Sequence, residues 1–501
     1  MNRDRASDVV IIGSGLGGST LAYRLVSLGL EVTLVEQGEF LSRPGASLAP
    51  VYKDRFTGPI VGGPSKFYGA AMYRLREADF EAGETGNGPA PAWPISYEDL
   101  EPHYCEAERL YHVHGSSEND PSEPRRSRPW PHPPIPHQGP AADLVSRLIQ
   151  KGGVPVSHIP RALDYDPSAG GACVLCQHCD AYYCPRDAKM DAEIAALRPA
   201  LGSGRLTLLT NTKCLQILVT ADGQKAQGVR VETMGEQYRI HAPVVAISAG
   251  VFESPLLLWR SRTRAHPNGL ANSSGALGRN LAAHSHAWLF PVVPGVQKAG
   301  FHQKTFAINA FYHSAPDWPY PCGTIQAAGH MEAWSSYPQP GRALTAALLR
   351  NSFQVFAMAE ALPSANSGFE LSDDGPRNLS WPKPNKKALS TLQRLAREIF
   401  SAAGYYTLSP PSRSTDWHPV GTAGMGDDPR TSVIDSFCRT HDVDGLYVVD
   451  ASSLPRAGAV NTGLTIVALA LRAADRIQNE FTPREGVRSS RRFSASFRTW
   501  Q

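Results

Sequence analysis

The 501-residue chain has no long apolar run. Its nearest approach, "PVVAISAGVFESPLLLW", is interrupted by Glu253, Ser254 and Pro255. It falls short of the roughly eighteen consecutive apolar residues that a spanning helix needs, so no membrane span is expected. The opening "MNRDRASDVVIIG" has neither the apolar core nor the small-residue cleavage site of a secretory leader. The expected compartment is the cytoplasm, where thiols stay reduced. One-sided charge is missing too: 49 Lys and Arg against 46 Asp and Glu leave +3. The basic residues are scattered, apart from a small cluster in the final residues, so no nucleic-acid partner is expected. No internal repeat is visible. Cysteine is sparse at 8, yet four of them fall between Cys173 and Cys184.

What is present describes a folded protein: 42% apolar and 19% charged residues are globular values. The length exceeds one ordinary core and predicts two to three domains, or one large α/β body with a second lobe. With 44 Gly and 41 Pro, many turns and long loops follow.

The most legible segment is "DVVIIGSGLGGSTLAYRLVSLGLEVTLVEQG". Val9–Ile12 is a continuous apolar run, as in a parallel strand buried on both faces. Gly13, Gly15 and Gly18 follow as G-x-G-x-x-G, then a helical pattern from Leu21 to Leu28 and a second strand ending at Glu36. In such a unit one glycine permits the tight turn, one lets backbone approach a pyrophosphate, and one lets helix pack on strand. The helix N-terminus offers unpaired N–H groups to the phosphates, and Glu36 can accept from the adenosine ribose. The complete series of strand, glycines, helix, strand and acid predicts a dinucleotide site.

Further along, the Pro-rich 116–140 reads as a surface loop. "RLTLLTNTKCLQILVT" and "APVVAISAG" read as strands, with a hairpin turn at Asp222–Gly223 between them. "LYVVDASSLP" gives another buried strand and "GLTIVALALRAADRI" an amphipathic helix. The region from about 285 to 410 resists parsing, and 481–501 is expected to be a mobile tail.

Three segments together resemble the glucose–methanol–choline oxidoreductases: the amino-terminal dinucleotide unit, "VGGPSKFYGAAMYRLREADF" at 61–80, and "WHPVGTAGMGDDPRTSVID" with "LYVVDASSLPRAGAVNTGLTIVALALRAADRI" near the end. The resemblance implies FAD. It implies a Rossmann-like FAD-binding domain interleaved with an α+β substrate domain built on an antiparallel sheet. The FAD-binding part is expected from 1–75, 161–290 and 411–480, and the substrate or cap region from 76–160 and 291–410. Gly62 and Gly63 would lie against the flavin, with Lys66 and Tyr68 nearby. Asp450, Ala451 and neighbouring backbone would approach the cofactor from a distant part of the chain.

The resemblance also implies the chemistry. Oxidising an alcohol requires that the hydroxyl proton leave and that hydride pass to the flavin, and neutral imidazole suits the first task. His418 in "DWHPVGTAGMG" is the candidate base. Asn461 in "GAVNTGLTI" would hydrogen-bond the substrate oxygen, with helix capping as its simpler role. Thr462 stands where the family usually has Pro. "GRNLAAHSH" also resembles a family segment, but His284 and His286 are read as structural. The expected substrate is a small alcohol, polyol or sugar-like molecule; no electron acceptor is indicated.

Cys173, Cys176, Cys179 and Cys184 follow C-x2-C-x2-C-x4-C-P, one residue longer than bacterial ferredoxin ligation and a poor match to paired zinc knuckles. Two readings stay open, an iron–sulfur cluster or a structural thiol or disulfide role, and no metal ligand is assigned. The competing function is accordingly an iron–sulfur flavoprotein passing electrons to a partner chain.

Overall fold

The computed structural model describes residues 4–41, 51–52, 58–176, 178–292, 304–329, 352–409 and 413–481. All of the expected tail beyond Phe481 lies outside the described residues.

Two large sheets organise these residues. The first has five parallel strands in the order Leu206–Leu209, Val32–Val35, Val9–Ile12, Val244–Ile247, Leu446–Val448. Its central strands are buried end to end, as strands covered on both faces must be. Leu16–Ser27 leaves the strand Val9–Ile12 at the glycine turn and packs beside the closing helix Gly463–Phe481. Arg24 Nε and Asp475 Oδ1, 2.8 Å apart, tie these two helices together. The strand Leu446–Val448 therefore enters the same sheet as Val9–Ile12 from the far end of the chain. A smaller sheet holds the expected hairpin, Thr212–Val219 antiparallel to Ala226–Thr233.

The second large sheet arises mostly in the region that resisted sequence reading. It is antiparallel and runs Tyr406–Leu408, Ala282–Val292, Val355–Ala361, Thr324–Ala327, Phe306–Ile308, Ser157–His158, with Arg413–Val420 also paired to Ala282–Val292. It takes in 282–292 and 413–420, stretches grouped by sequence with the FAD-binding segments. Side chains alternate along a strand. From Ala282–Val292, Ser285 turns toward the helix Lys386–Ala402, where its hydroxyl accepts from Asn385 N–H at 3.2 Å. His284, His286, Trp288 and Phe290 share the opposite face. There Trp288 and Phe290 join Phe356 and Met358 in a small separate core against Trp417.

Candidate active site

At the dinucleotide end, the glycines do what their spacing predicts, with one redistribution of roles. Gly13 takes φ +96, and a Cβ there would lie 2.3 Å from Ser248 O. Close packing falls to Gly17 as well as Gly18: added Cβ atoms would meet Val449 O at 1.9 Å and Gly13 O at 2.0 Å. Gly15 is different, because a Cβ built on it meets nothing within 4 Å. Gly15 is also the N-cap of Leu16–Ser27 and offers no side-chain cap. Open space in front of uncapped N–H groups suits a pyrophosphate.

Glu36 ends the neighbouring strand beside this space. Its Oε2 accepts from Ser14 N (3.0 Å) and Ser14 Oγ (2.6 Å), and its Oε1 from Gly38 N (2.7 Å). A carboxylate has about four lone-pair positions, so room remains for a ribose hydroxyl. Gly62 N–H donates to Ser14 Oγ at 3.0 Å, which brings the 61–63 segment onto the same turn. Gly62 and Gly63 both have positive φ, +88 and +57, and the Gly63 Cβ position lies 3.4 Å from Gly15 Cα.

Asp450 reaches the same place, but its carboxylate is occupied: Gly250 N–H (2.9 Å) and Ser254 Oγ donate to Oδ2, and Ser452 N–H (2.7 Å) and Oγ donate to Oδ1. It holds the helix Gly250–Arg260 to the turn at Ala451–Ser453. Lys66 and Tyr68 are likewise committed, Lys66 Nζ to Asp191 and Glu193 (3.0 and 2.6 Å) and Tyr68 OH to Met190 O (2.6 Å).

His418 is set by a register change. Ala282 pairs with Val420 but His284 pairs with Trp417, so the strand carrying His418 has one residue more than its partner there. Such a bulge re-aims a side chain, and His418 adopts φ +49, uncommon for a residue with a side chain. The result places His418 Nδ1 2.9 Å from His284 Nδ1, while His284 Nε2 lies 3.0 Å from Gly458 O. The tautomers follow. Gly458 O can only accept, so His284 carries its proton on Nε2 and its Nδ1 accepts. His418 must then donate from Nδ1, leaving Nε2 unprotonated as an acceptor. Asn461 Nδ2 donates to that Nε2 in a long hydrogen bond of 3.4 Å. Asn461 Oδ1 is buried without a partner among the described residues.

The simple capping role of Asn461 gives way here. The helix starts at Gly463, and Thr462 O accepts the first helical bond from Ile466 N–H, leaving Asn461 one residue ahead of the cap. The loop that carries it is braced from below. Glu360 accepts from Arg456 Nε (3.0 Å) and Gly458 N–H (2.8 Å), and Tyr312 OH accepts from Ala459 N–H (3.0 Å).

Burial keeps the imidazoles neutral. It pushes His284 down to about 4 and His286 down to about 4. His418 is held well below its ordinary value by burial first, then by the His284 ring and the Lys304 ammonium. His286 stacks flat on Trp417, ring centroids 3.6 Å apart, and its Nδ1 is buried without a partner.

The cysteine loop lies on the same side. Lys189 Nζ donates to the carbonyls of Tyr68 (3.0 Å), Cys179 (3.2 Å) and Tyr182 (2.7 Å), binding the loop to the 61–80 segment. All eight cysteines are free thiols, and burial pushes Cys173 up to about 12. Among the described residues, no three histidine, cysteine or carboxylate side chains are placed to hold a metal ion. The cluster reading thus has no geometric support; the loop is held as scaffold.

The amino-terminal GMC oxidoreductase model matches residues 39–286, the carboxy-terminal one 352–470, and an NAD(P)-binding Rossmann-like domain model 11–49. The chain belongs to the GMC oxidoreductase family. It is 30% identical to 6'''-hydroxyparomomycin C oxidase of Streptomyces lividus, over 94% of this chain and 91% of the relative. It is 28% identical to 2-methyl-1,2-propanediol dehydrogenase of Mycolicibacterium austroafricanum (95% and 96% covered) and 28% to the fructose dehydrogenase large subunit of Gluconobacter japonicus (96% and 99%). Among solved structures, pyridoxine 4-oxidase from Mesorbium loti shares the fold at TM-score 0.63 and 19% identity, covering 94% of this chain and 99% of that one. A formate oxidase variant of Aspergillus oryzae, described by its FAD modification, does so at 0.64 and 16% (95% and 98%). The protein is an FAD-dependent oxidoreductase acting on CH–OH groups, and no helix among the described residues is long and apolar enough to cross a membrane.

Sequence reasoning passed over His284, Lys304 and Asp180. His284 did carry a signal, its place in "GRNLAAHSH". Lys304 carried none, and Asp180 lies within the cysteine-rich stretch but at a position its pattern leaves open.

Proposed function

We propose that the enzyme oxidises a primary or secondary alcohol bearing further hydroxyls, such as a polyol, sugar or glycoside, to the carbonyl compound, with His418 as base. The observation that supports this reading is the tautomer chain from Gly458 O through His284 to His418, which leaves Nε2 an unprotonated acceptor held only by a long bond from Asn461 Nδ2, with Asn461 Oδ1 unpaired among the described residues. In this reading His418 Nε2 takes the hydroxyl proton as the C–H bond gives up its hydride, and Asn461 fixes the substrate oxygen. FAD, when bound, supplies the two-electron acceptor for that hydride. Gly13, Gly15 and Gly18 with the first helix would hold its pyrophosphate, Glu36 its ribose, and the backbone of Gly62, Gly63, Asp450 and Ala451 its remainder. His284 holds the proton on His418 Nδ1 and so keeps Nε2 the basic atom; a misplaced tautomer would present N–H to the substrate instead.

In the same reading the FAD-binding part is gathered from 1–75, 161–290 and 411–480, and 76–160 with 291–410 shape the substrate side. The free thiols suit a reducing compartment, and cytoplasmic placement belongs to the proposal.

The test is anaerobic flavin bleaching by 2-methyl-1,2-propanediol or D-fructose in wild type and His418→Ala. The variant should retain its flavin and lose reduction by about 10³-fold. Undiminished bleaching would remove His418 from the mechanism.

A further inference from the structure

Beside the base lies a buried ion pair that stands outside the tautomer chain. Lys304 Nζ is 2.6 Å from Asp180 Oδ1, and the other Asp180 oxygen accepts from Gly329 N–H. Lys304 is 2% exposed, whereas the Asp180 side chain is 17% exposed and opens outward. Arg161 donates to the Lys304 carbonyl, anchoring its backbone. The pair stands directly over the flavin-side segment: a Cβ on Gly69 would fall 1.8 Å from Asp180 Oδ1 and 2.5 Å from Lys304 Nζ. On its other flank Lys304 Nζ lies 5.7 Å from the Phe356 ring centroid, Phe356 lies 5.1 Å from the Trp417 ring, and Trp417 stacks on His286. The pair and His418 therefore border one aromatic wall. Among the described residues, Asp180 is the hydrogen-bond partner of this ammonium, one bond for a group with three donors.

A buried charge pair with spare donors and a partly open carboxylate suits hydroxyl groups, which both donate and accept. We propose that the Asp180–Lys304 pair is a specificity-determining site for a second hydroxyl of the substrate, on a carbon near the one oxidised. Lys304 donates to that hydroxyl oxygen and Asp180 accepts its proton side, while the aromatic wall covers the carbon skeleton. The assignment rests on the reading of His418 as the base. It also gives the cysteine-rich loop a function, because "CVLCQHCDAYYCP" presents Asp180.

The substrates that test it are 2-methyl-1,2-propanediol and 2-methyl-1-propanol, which differ by one hydroxyl, assayed by anaerobic flavin reduction of the flavin-loaded enzyme. Wild type should prefer the diol by about 10-fold or more in kcat/KM, as hydrogen bonds to charged groups provide. The double variant Asp180→Asn/Lys304→Met leaves no lone buried charge. It should lose the preference mainly through the KM of the diol and keep the mono-alcohol within about threefold. The single variant Lys304→Met gives an independent readout. The groups facing His418 are His284, His286 and Lys304, which oppose its protonation, and Asp180, which favours it. Removing the ammonium should move the acid limb of kcat/KM to higher pH, a change that a purely structural pair would not cause. A folded, flavin-loaded double variant that keeps the diol preference, or loses both alcohols equally, overturns the proposal. So does a wild type that reduces its flavin with alcohols but shows no preference for the diol. Failure of any alcohol to reduce wild-type flavin, or survival of reduction in His418→Ala, strikes the underlying reading instead.

Discussion

Two buried polar clusters in this molecule look alike in composition and differ in what they leave unfinished. Around Arg74, every donor is used: Nε and Nη2 meet the two Glu108 oxygens at 2.8 and 2.9 Å, Nη1 meets Glu101 and Tyr97 at 2.9 Å each, and Nη2 also reaches Cys105 Sγ at 3.2 Å. Arg126 adds a second cation to Glu108, although its own Nε is buried without a partner among the described residues. Around His418, bonds converge on one side only. Among the described residues, His418 Nε2 has only a long bond from Asn461 Nδ2, Asn461 Oδ1 and His286 Nδ1 are buried without partners, and the Lys304 ammonium has spare donors. Burying an unpaired polar group costs about 1–3 kcal/mol, so a fold keeps several together only where something else completes them. The cluster around Arg74 is nearly completed from within; the one around His418 leaves donors and acceptors available.

Substitutions on the two sides should separate cleanly. His418→Ala removes the group with the largest catalytic leverage, about 10³-fold in substrate-dependent flavin reduction, while its thermal midpoint stays near that of wild type. Arg74→Met should do the reverse. Leaving Glu101 without its cation and Glu108 with Arg126 alone costs about 3 kcal/mol and lowers the unfolding midpoint, with the rate per bound flavin held within about twofold. Equal losses of rate and stability in either variant would erase the distinction.

Acid should weaken the open side through its histidines. An unfolded histidine titrates near 6.5, whereas folded His284 and His286 are each pushed down to about 4. Between those values the unfolded chain binds more protons, so stability is complete above pH 6.5 and falls toward pH 4. The loss is of order 3 kcal/mol for each such histidine. Denaturation midpoints measured at pH 7 and pH 4.5 would check it, and a flat profile would argue against neutral burial. The smallest effect belongs to His284→Phe. Without the Nδ1 acceptor, His418 can adopt either tautomer, and kcat should drop about 10- to 100-fold with flavin content unchanged. No change in kcat would show that the bulge alone orients His418.

The parts of this fold that were readable in advance are those whose chemistry is local. The turn at Gly13–Gly18, the buried strand Val9–Ile12 and the acid at Glu36 lie within one short segment, and each residue's role follows from its neighbours. The unreadable parts are pairings across long separations. Nothing in 285–410 announces that Ala282–Val292 is the hub of a seven-stranded sheet, because a strand buried on both faces loses the alternation that would reveal it. The sequence reads His284 and His286 as structural; only the register with Arg413–Val420 brings His284 to His418. Asp450 shows the converse. The sequence placed it in the closing segment, but only the fold shows that its carboxylate is spent on Gly250, Ser254 and Ser452.

By itself the sequence determined the dinucleotide turn and the family, and through that resemblance pointed to His418 and Asn461, since periodicity and motif are written along the chain. Tertiary structure alone decided which nitrogen of His418 is basic and which buried charges stand beside it. Those properties depend on a bulge, a carbonyl at Gly458 and a lysine at 304, and only folding brings these distant groups within hydrogen-bond and Coulomb range.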